Sequence, residues 1–330
     1  MALVTLEAIR AAATRIAGDV RRTPILDVSD LAGRSLLLKC EHHQPGGAFK
    51  IRGASNMLAG LSSEALSNGV VTYSSGNHGQ AVALAAHRRG VRAVIVMPTT
   101  APTIKIEGVK RWGGEVILEG TTSADRLKRA KHEVETRGLT MVPPFDHEEV
   151  IIGQGTCALE ILEQVPDVGT VVVPVGGGGL LAGVAAALKQ ARPGVVVIGV
   201  EPAGAPKMSR SLAAGHPITL DSVSSLADGL MPVRPGDITF AHAQAYVDHV
   251  ITIDDAAIAR GAMWLFFEAK QVVEPSGAAT TAAVLWPAAD GPLVSPKGKV
   301  VVIVSGGNVS PATIVSLSQT ATQARSEQSS

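Results

Sequence analysis

Lys50 is held in a frame that an ordinary surface lysine does not need. The segment Lys39-Cys-Glu-His-His-Gln-Pro-Gly-Gly-Ala-Phe-Lys-Ile-Arg-Gly53 puts it after a Pro-Gly-Gly turn, behind Phe49 and ahead of Arg52-Gly53. A lysine that reacts with a carbonyl needs such a frame, because partial desolvation lowers its pKa and a fixed rotamer aims the amine. Taken alone, the window fits equally well a solvated lysine at a helix start.

Four more strings bear on that choice. Ser74-Ser75-Gly76-Asn77-His78-Gly79-Gln80 follows a Val/Tyr run and opens an alanine-rich stretch. Amides at a helix start bind an anion such as a carboxylate, and Ser and Asn side chains add aimed hydrogen bonds; a plain helix cap fits the same string. Gly176-Gly177-Gly178-Gly179 follows another apolar run. Four glycines in a row cost chain entropy, and the usual compensation is backbone brought close to a phosphate. Which phosphate stays open here, since Gly177-x-Gly179-x-x-Ala182 with Glu201 one strand later also fits a dinucleotide-binding pattern. Ser305-Gly306-Gly307-Asn308 and Glu274-Pro275-Ser276-Gly277 complete the set, each readable as a capping turn.

Elements that place these strings at strand ends are visible in the apolar pattern. Val/Ile-rich runs at 70–73, 93–97, 115–118, 170–175, 195–200, 249–253 and 299–304 predict strands buried on both faces, hence parallel sheet. Helical patterns over 79–89, 123–137 and 180–191, each stopped by Gly or Pro-Gly, lie between them. The expected class is α/β, doubly wound, with ligands beyond the carboxyl ends of the strands. Pro143-Pro144 marks a crossing between two lobes, and the polar tail from Thr320 is expected to fray.

Composition limits the alternatives. Hydrophobic residues make up 46% of the 330, and 29 Lys+Arg balance 29 Asp+Glu, which leaves no electrostatic case for nucleic acid or an anionic membrane. No apolar run reaches membrane-spanning length, and the start of the chain reads as an amphipathic helix rather than a signal peptide. Cys40 and Cys157 make neither a disulfide framework nor a metal-ligand spacing, so packing in a reducing, cytoplasmic compartment is expected. A nicotinamide enzyme gives Lys50, Asn77 and Ser305 no task. A cofactor with one phosphate, one aldehyde, one phenolic oxygen and one ring nitrogen uses them all.

In this order the strings resemble the fold-type II pyridoxal-phosphate enzymes, in the threonine/serine dehydratase and serine racemase branch, from about Thr23-Pro24 to Asn308. The resemblance implies a two-lobed architecture, each lobe a mostly parallel sheet flanked by helices, with residues 1–60 and 149–330 as the large cofactor-binding lobe and 61–148 as the small one. It implies pyridoxal 5'-phosphate as cofactor. Lys50 would be the Schiff-base lysine, Phe49 would flank the ring and Asn77 would meet the phenolic oxygen. Gly176, Gly177, Gly178 and Gly179 would cradle the phosphate, with Ser305 at the pyridine nitrogen and Glu274 also at the cofactor. Ser74, Ser75, Gly76 and Asn77 would take the substrate, and Ser75 would be acid/base opposite Lys50. Ile51-Arg52-Gly53 and Pro144-Phe145-Asp146 resemble the dehydratase form, which eliminates water from threonine or serine to give a 2-oxo acid and ammonia. An amino-acid racemase, or a dehydratase of another 3-hydroxy amino acid such as hydroxyaspartate or phenylserine, is the alternative, with a nicotinamide oxidoreductase far behind. A homodimer without a C-terminal regulatory domain is expected. The family's divalent-metal loop begins at Glu201-Pro202, but Lys207 stands where its aspartate belongs. No metal is therefore expected, and an inward-turned Lys207 would pair with Glu201.

Overall fold

The computed structural model describes residues 2–74, 76–294 and 296–328, with side chains up to residue 322. Its strands are β1 (Ile25–Asp27), β2 (Leu37–Lys39), β3 (Val70–Tyr73), β4 (Ala93–Met97), β5 (Glu115–Leu118), β6 (Thr140–Met141), β7 (Val168–Pro174), β8 (Val196–Pro202), β9 (His249–Ile253) and β10 (Lys299–Ile303). They form two sheets. One has six strands in the order β1-β2-β10-β7-β8-β9, and the other four in the order β5-β4-β3-β6. Every pairing is parallel except the edge pair β1–β2.

Apolar runs become parallel strands because both faces are covered. Along β7, Val171 and Val173 enter one core while Val172 enters the opposite one; on β10, Val301 and Ile303 oppose Val300 and Val302 in the same way. The smaller sheet repeats the pattern with Val70 and Ile95 on one side and Val71 and Val94 on the other. β3, β4, β5 and β9 run as the sequence predicts, and β7, β8 and β10 differ from expectation by one or two residues at an end. The two- and three-residue strands β1, β2 and β6 carry too little pattern to be seen.

Helix ends follow local chemistry. Thr122 and Asp125 form a capping box ahead of Ser123–Arg137, and Gly138, at φ 64°, closes that helix in the left-handed region that only glycine enters without strain. The helix expected over 79–89 runs instead over Asn77–His87, so Asn77 lies in its first turn. The tail is a correction: the helix Pro311–Gln328 continues past Thr320. Apolar Leu317 and Ala321 on it are buried in the core of the larger sheet, contacts that a polar composition hides.

Two site-bearing helices are fixed to a third through glycines. Helix Glu148–Gln164 meets helix Lys50–Ala59 where a Cβ on Gly153 would lie 2.6 Å from the Arg52 carbonyl oxygen, and meets helix Gly179–Ala191 where a Cβ on Gly183 would lie 2.2 Å from that of Ile151. Backbone contact this close holds Lys50 and the tetraglycine in fixed relation. Arg52 strengthens the junction. Fully buried, it donates to both Glu41 oxygens at 2.7 and 2.8 Å and pairs with Glu160 at 2.8 Å. Burial alone would raise the Glu41 pKa, but the Arg52 guanidinium outweighs it and holds the carboxylate charged.

Candidate active site

The carboxyl ends of both sheets open into one cavity of about 450 Å³. Ser74 leaves β3, Gly176 lies two residues beyond β7 and Ser305 two beyond β10, as the strand-end rule requires. Phe49, Lys50, Ser74, Gly76, Asn77, Gly176, Gly177, Gly178, Gly179, Glu274 and Ser305 all line it. Ser75 lies outside the described residues.

Lys50 starts its helix, and its exposed part faces the cavity. Nζ donates to the Pro144 carbonyl at 2.7 Å and sits 5.1 Å from the centre of the Phe49 ring. Burial draws its pKa down to about 8, so a useful fraction of the amine is neutral near physiological pH. The Pro144 carbonyl is a contact no sequence signal announces.

A phosphate fits the tetraglycine. None of the amides of Gly176, Gly177 and Gly178 donates to a protein acceptor among the described residues, and they precede the helix Gly179–Ala191. Side chains there have no room: a Cβ on Gly177 would lie 2.3 Å from the Phe145 ring, and one on Gly176 would lie 2.8 Å from the Gly229 carbonyl oxygen. Gly178 has φ +99° as well. Free donors at a helix N-terminus, beside a desolvated amine, suit a phosphate-bearing aldehyde.

Asn77 is held at both ends of its amide. Oδ1 accepts from Asn308 at 2.9 Å, while Nδ2 donates to Glu274 at 2.6 Å and keeps its second hydrogen. Burial pushes the Glu274 carboxyl up to about 7, with nearby Asp228 adding to the effect. Such an acid binds its proton in the fold between about 4.5 and 7, where an unfolded glutamate has lost it, so stability falls as pH rises across that window. Glu274→Gln should therefore flatten the decline of the unfolding midpoint between pH 4.5 and 7 in the cofactor-free protein. Parallel curves for the variant and wild type would contradict this.

Glu201 does not serve a ribose. It is fully buried, and its oxygens accept from Met208 N (2.9 Å), Ser209 N (2.8 Å) and Ser209 Oγ (2.6 Å), which removes the acidic residue that the dinucleotide reading needs. Lys207 turns inward beside it, 3.4 Å away and fully buried. Its ammonium donates to the carbonyls of Val175 (2.7 Å), Leu230 (2.9 Å) and Ala205 (3.2 Å). Val175 precedes the tetraglycine and Leu230 lines the cavity, so one cation fastens both walls.

Several cavity residues have no role assigned from the sequence. Phe145 covers the tetraglycine, Lys105 pairs with Asp228 across the cavity wall, and Arg126 lines the cavity with a buried Nε that has no hydrogen-bond partner among the described residues. Asp146, noted only for its branch-like context, accepts from the amides of Asp237, Ile238 and Thr239, capping a helix next to the tetraglycine. Pairings between distant loops leave no periodicity to read.

The profile of the pyridoxal-phosphate-dependent enzymes matches residues 16–306. The chain belongs to that family. A serine racemase of Oryza sativa subsp. indica is 44% identical over 316 residues, covering 92% of this chain and 91% of the relative. An L-threonine ammonia-lyase of Thermotoga maritima is 42% identical over 311 residues, covering 93% and 76%. The structure of maize serine racemase superposes with a TM-score of 0.91 at 41% identity, covering 98% of this chain and 99% of that one. This is therefore a pyridoxal-phosphate-dependent enzyme of fold type II, in the threonine dehydratase and serine racemase group. Among the described residues no helix is long and apolar enough to cross a membrane.

Proposed function

We propose that this enzyme removes water from a β-hydroxy amino acid of the threonine/serine type, giving a 2-oxo acid and ammonia. The observation that carries the reading is a desolvated amine, Lys50, in one cavity with a phosphate-sized set of free amides, Asn77 and the Ser305 hydroxyl. Pyridoxal phosphate, when bound, supplies an aldehyde for amines and a ring that accepts the electron pair left at Cα. Gly176 to Gly179 would hold its phosphate and Asn77, whose amide Glu274 fixes, would meet its phenolic oxygen. Ser305 would face the ring nitrogen, and as a hydroxyl rather than a carboxylate it would favour rapid loss of the β-hydroxyl over a long-lived charge. Lys50, as a neutral amine, takes the α-proton. Ser74, Gly76 and Asn77 hold the substrate carboxylate at the helix start. The C–O bond at Cβ breaks, the departing oxygen takes up the proton that Lys50 removed and leaves as water, and the released enamine adds one water to give the 2-oxo acid and ammonia.

Racemisation is the second reading, favoured by the similarity to proteins named serine racemase. Incubation with L-threonine or L-serine separates the two: equal 2-oxo acid and ammonia support elimination, whereas accumulation of the D-isomer alone overturns it. Ser75→Ala should lower racemisation and elimination from D-serine far more than elimination from L-serine, because only the former need a group opposite Lys50. Equal losses would count against that division. Arg126 is the cation that an acidic substituent such as that of 3-hydroxyaspartate would meet, so kcat/KM for that substrate belongs in the same comparison. The reading also includes a homodimer in the cytoplasm, with 61–148 as the smaller lobe.

A further inference from the structure

We propose that Cys40, His42 and His43 form a binding site for a borderline-soft divalent metal such as Zn²⁺, separate from the cofactor cavity. Their ligand atoms lie within 4.8 Å of one another. A tetrahedral ion with bonds of about 2.0–2.3 Å needs edges of roughly 3.3–3.8 Å, so binding draws the set in by up to about 1.5 Å, with exposed His43 the ligand with most room to move. The short 3-10 turn Glu41–His43, with Cys40 just before it, brings the three ligands together, while Glu41 is taken up by Arg52.

His42 supplies an observation independent of the clustering. It is 8% exposed, and its buried Nδ1 has no hydrogen-bond partner among the described residues. Its Nε2 lies 3.0 Å from Gln271 Oε1, while the Gln271 amide donates its other end to the Ala269 carbonyl, which fixes that oxygen as the acceptor. Nε2 therefore carries the hydrogen and Nδ1 the lone pair. A ring N–H donated to a carbonyl oxygen, with the second nitrogen free, is how proteins orient a metal-binding histidine. The Cys40 thiol, whose Sγ lies 3.5 Å from the Leu38 carbonyl oxygen, binds metal only as thiolate, so binding releases its one proton to solvent. His43 provides the solvent side and the entry path. A fourth position is left to water. In the sequence, Cys40 read as a packing residue, because a lone Cys-x-His-His lacks the paired spacing of known metal motifs.

X-ray absorption on the holoenzyme with one equivalent of Zn²⁺ tests this. The expected shell has one sulfur at about 2.3 Å and two imidazole nitrogens at about 2.0 Å. Calorimetry should give one site releasing one proton. His43→Asn, exposed and so harmless to folding, should weaken binding at least about tenfold, and Gln271→Leu about 10–100-fold. Cys40→Ala should remove the sulfur. A wild-type shell of nitrogen and oxygen only, or affinity unchanged in His43→Asn, overturns the proposal.

Discussion

Lys50→Ala is expected to lower kcat by at least about 10³-fold, since the residue serves as both the covalent anchor and the base, and base catalysis alone contributes about 10²–10⁴. The loss should fall on kcat, because the amides of Gly176 to Gly178 and the hold on Asn77 do not depend on the lysine. The variant should still bind pyridoxal phosphate, more weakly, and release it on dialysis. Added small amines should restore part of the rate, as they can replace a missing base. Turnover within tenfold of wild type would place the reactive amine elsewhere.

Lys207→Met should cost about 3–5 kcal/mol of stability, the usual penalty for breaking a buried charged pair. It removes the ammonium but leaves the Val175, Ala205 and Leu230 carbonyls converging on an empty centre, with Glu201 buried beside them. Because Val175 lies between the cavity residues Pro174 and Gly176, and Leu230 lines the cavity itself, cofactor affinity should fall along with the unfolding midpoint. Lys207→Ala leaves room for a small cation, so ammonium or K⁺ should recover part of the loss at pH 7, where Lys207, drawn down to about 8 by burial, is charged in the wild type. EDTA should leave the activity of the wild type unchanged, and Lys207→Asp should create a dependence of activity on Mg²⁺ or Ca²⁺ through hard oxygen ligands. Activity lost to EDTA and restored by Mg²⁺ in the wild type would refute this assignment.

Much of the site was legible because its chemistry sits in contiguous strings. Glycine and small polar residues after apolar runs mark strand ends, and parallel sheets bring strand ends together. That rule points to Ser74, Gly176 and Ser305 as residues at strand ends that can share a cavity. The sequence leaves Lys207 two directions, inward to Glu201 or out to solvent, and the three carbonyls that hold it inward belong to separate segments. What stayed hidden depends on contacts between segments far apart in the chain. Pro144 offers only a carbonyl to Lys50, Phe145 covers glycines thirty residues away, and Lys105 meets Asp228 across the cavity. Strands β1, β2 and β6 are too short for a period of two to register. The final helix is polar in composition yet buries Leu317 and Ala321, so composition alone suggested fraying where packing holds it.

The most direct measurement is to reduce the holoenzyme with borohydride, digest it and map the fixed cofactor by mass spectrometry. The account predicts one phosphopyridoxyl group per chain, on the peptide containing Phe49-Lys50-Ile51, blocked by prior incubation with an amino-acid substrate. A cofactor fixed on another lysine, or none fixed at all, would contradict it.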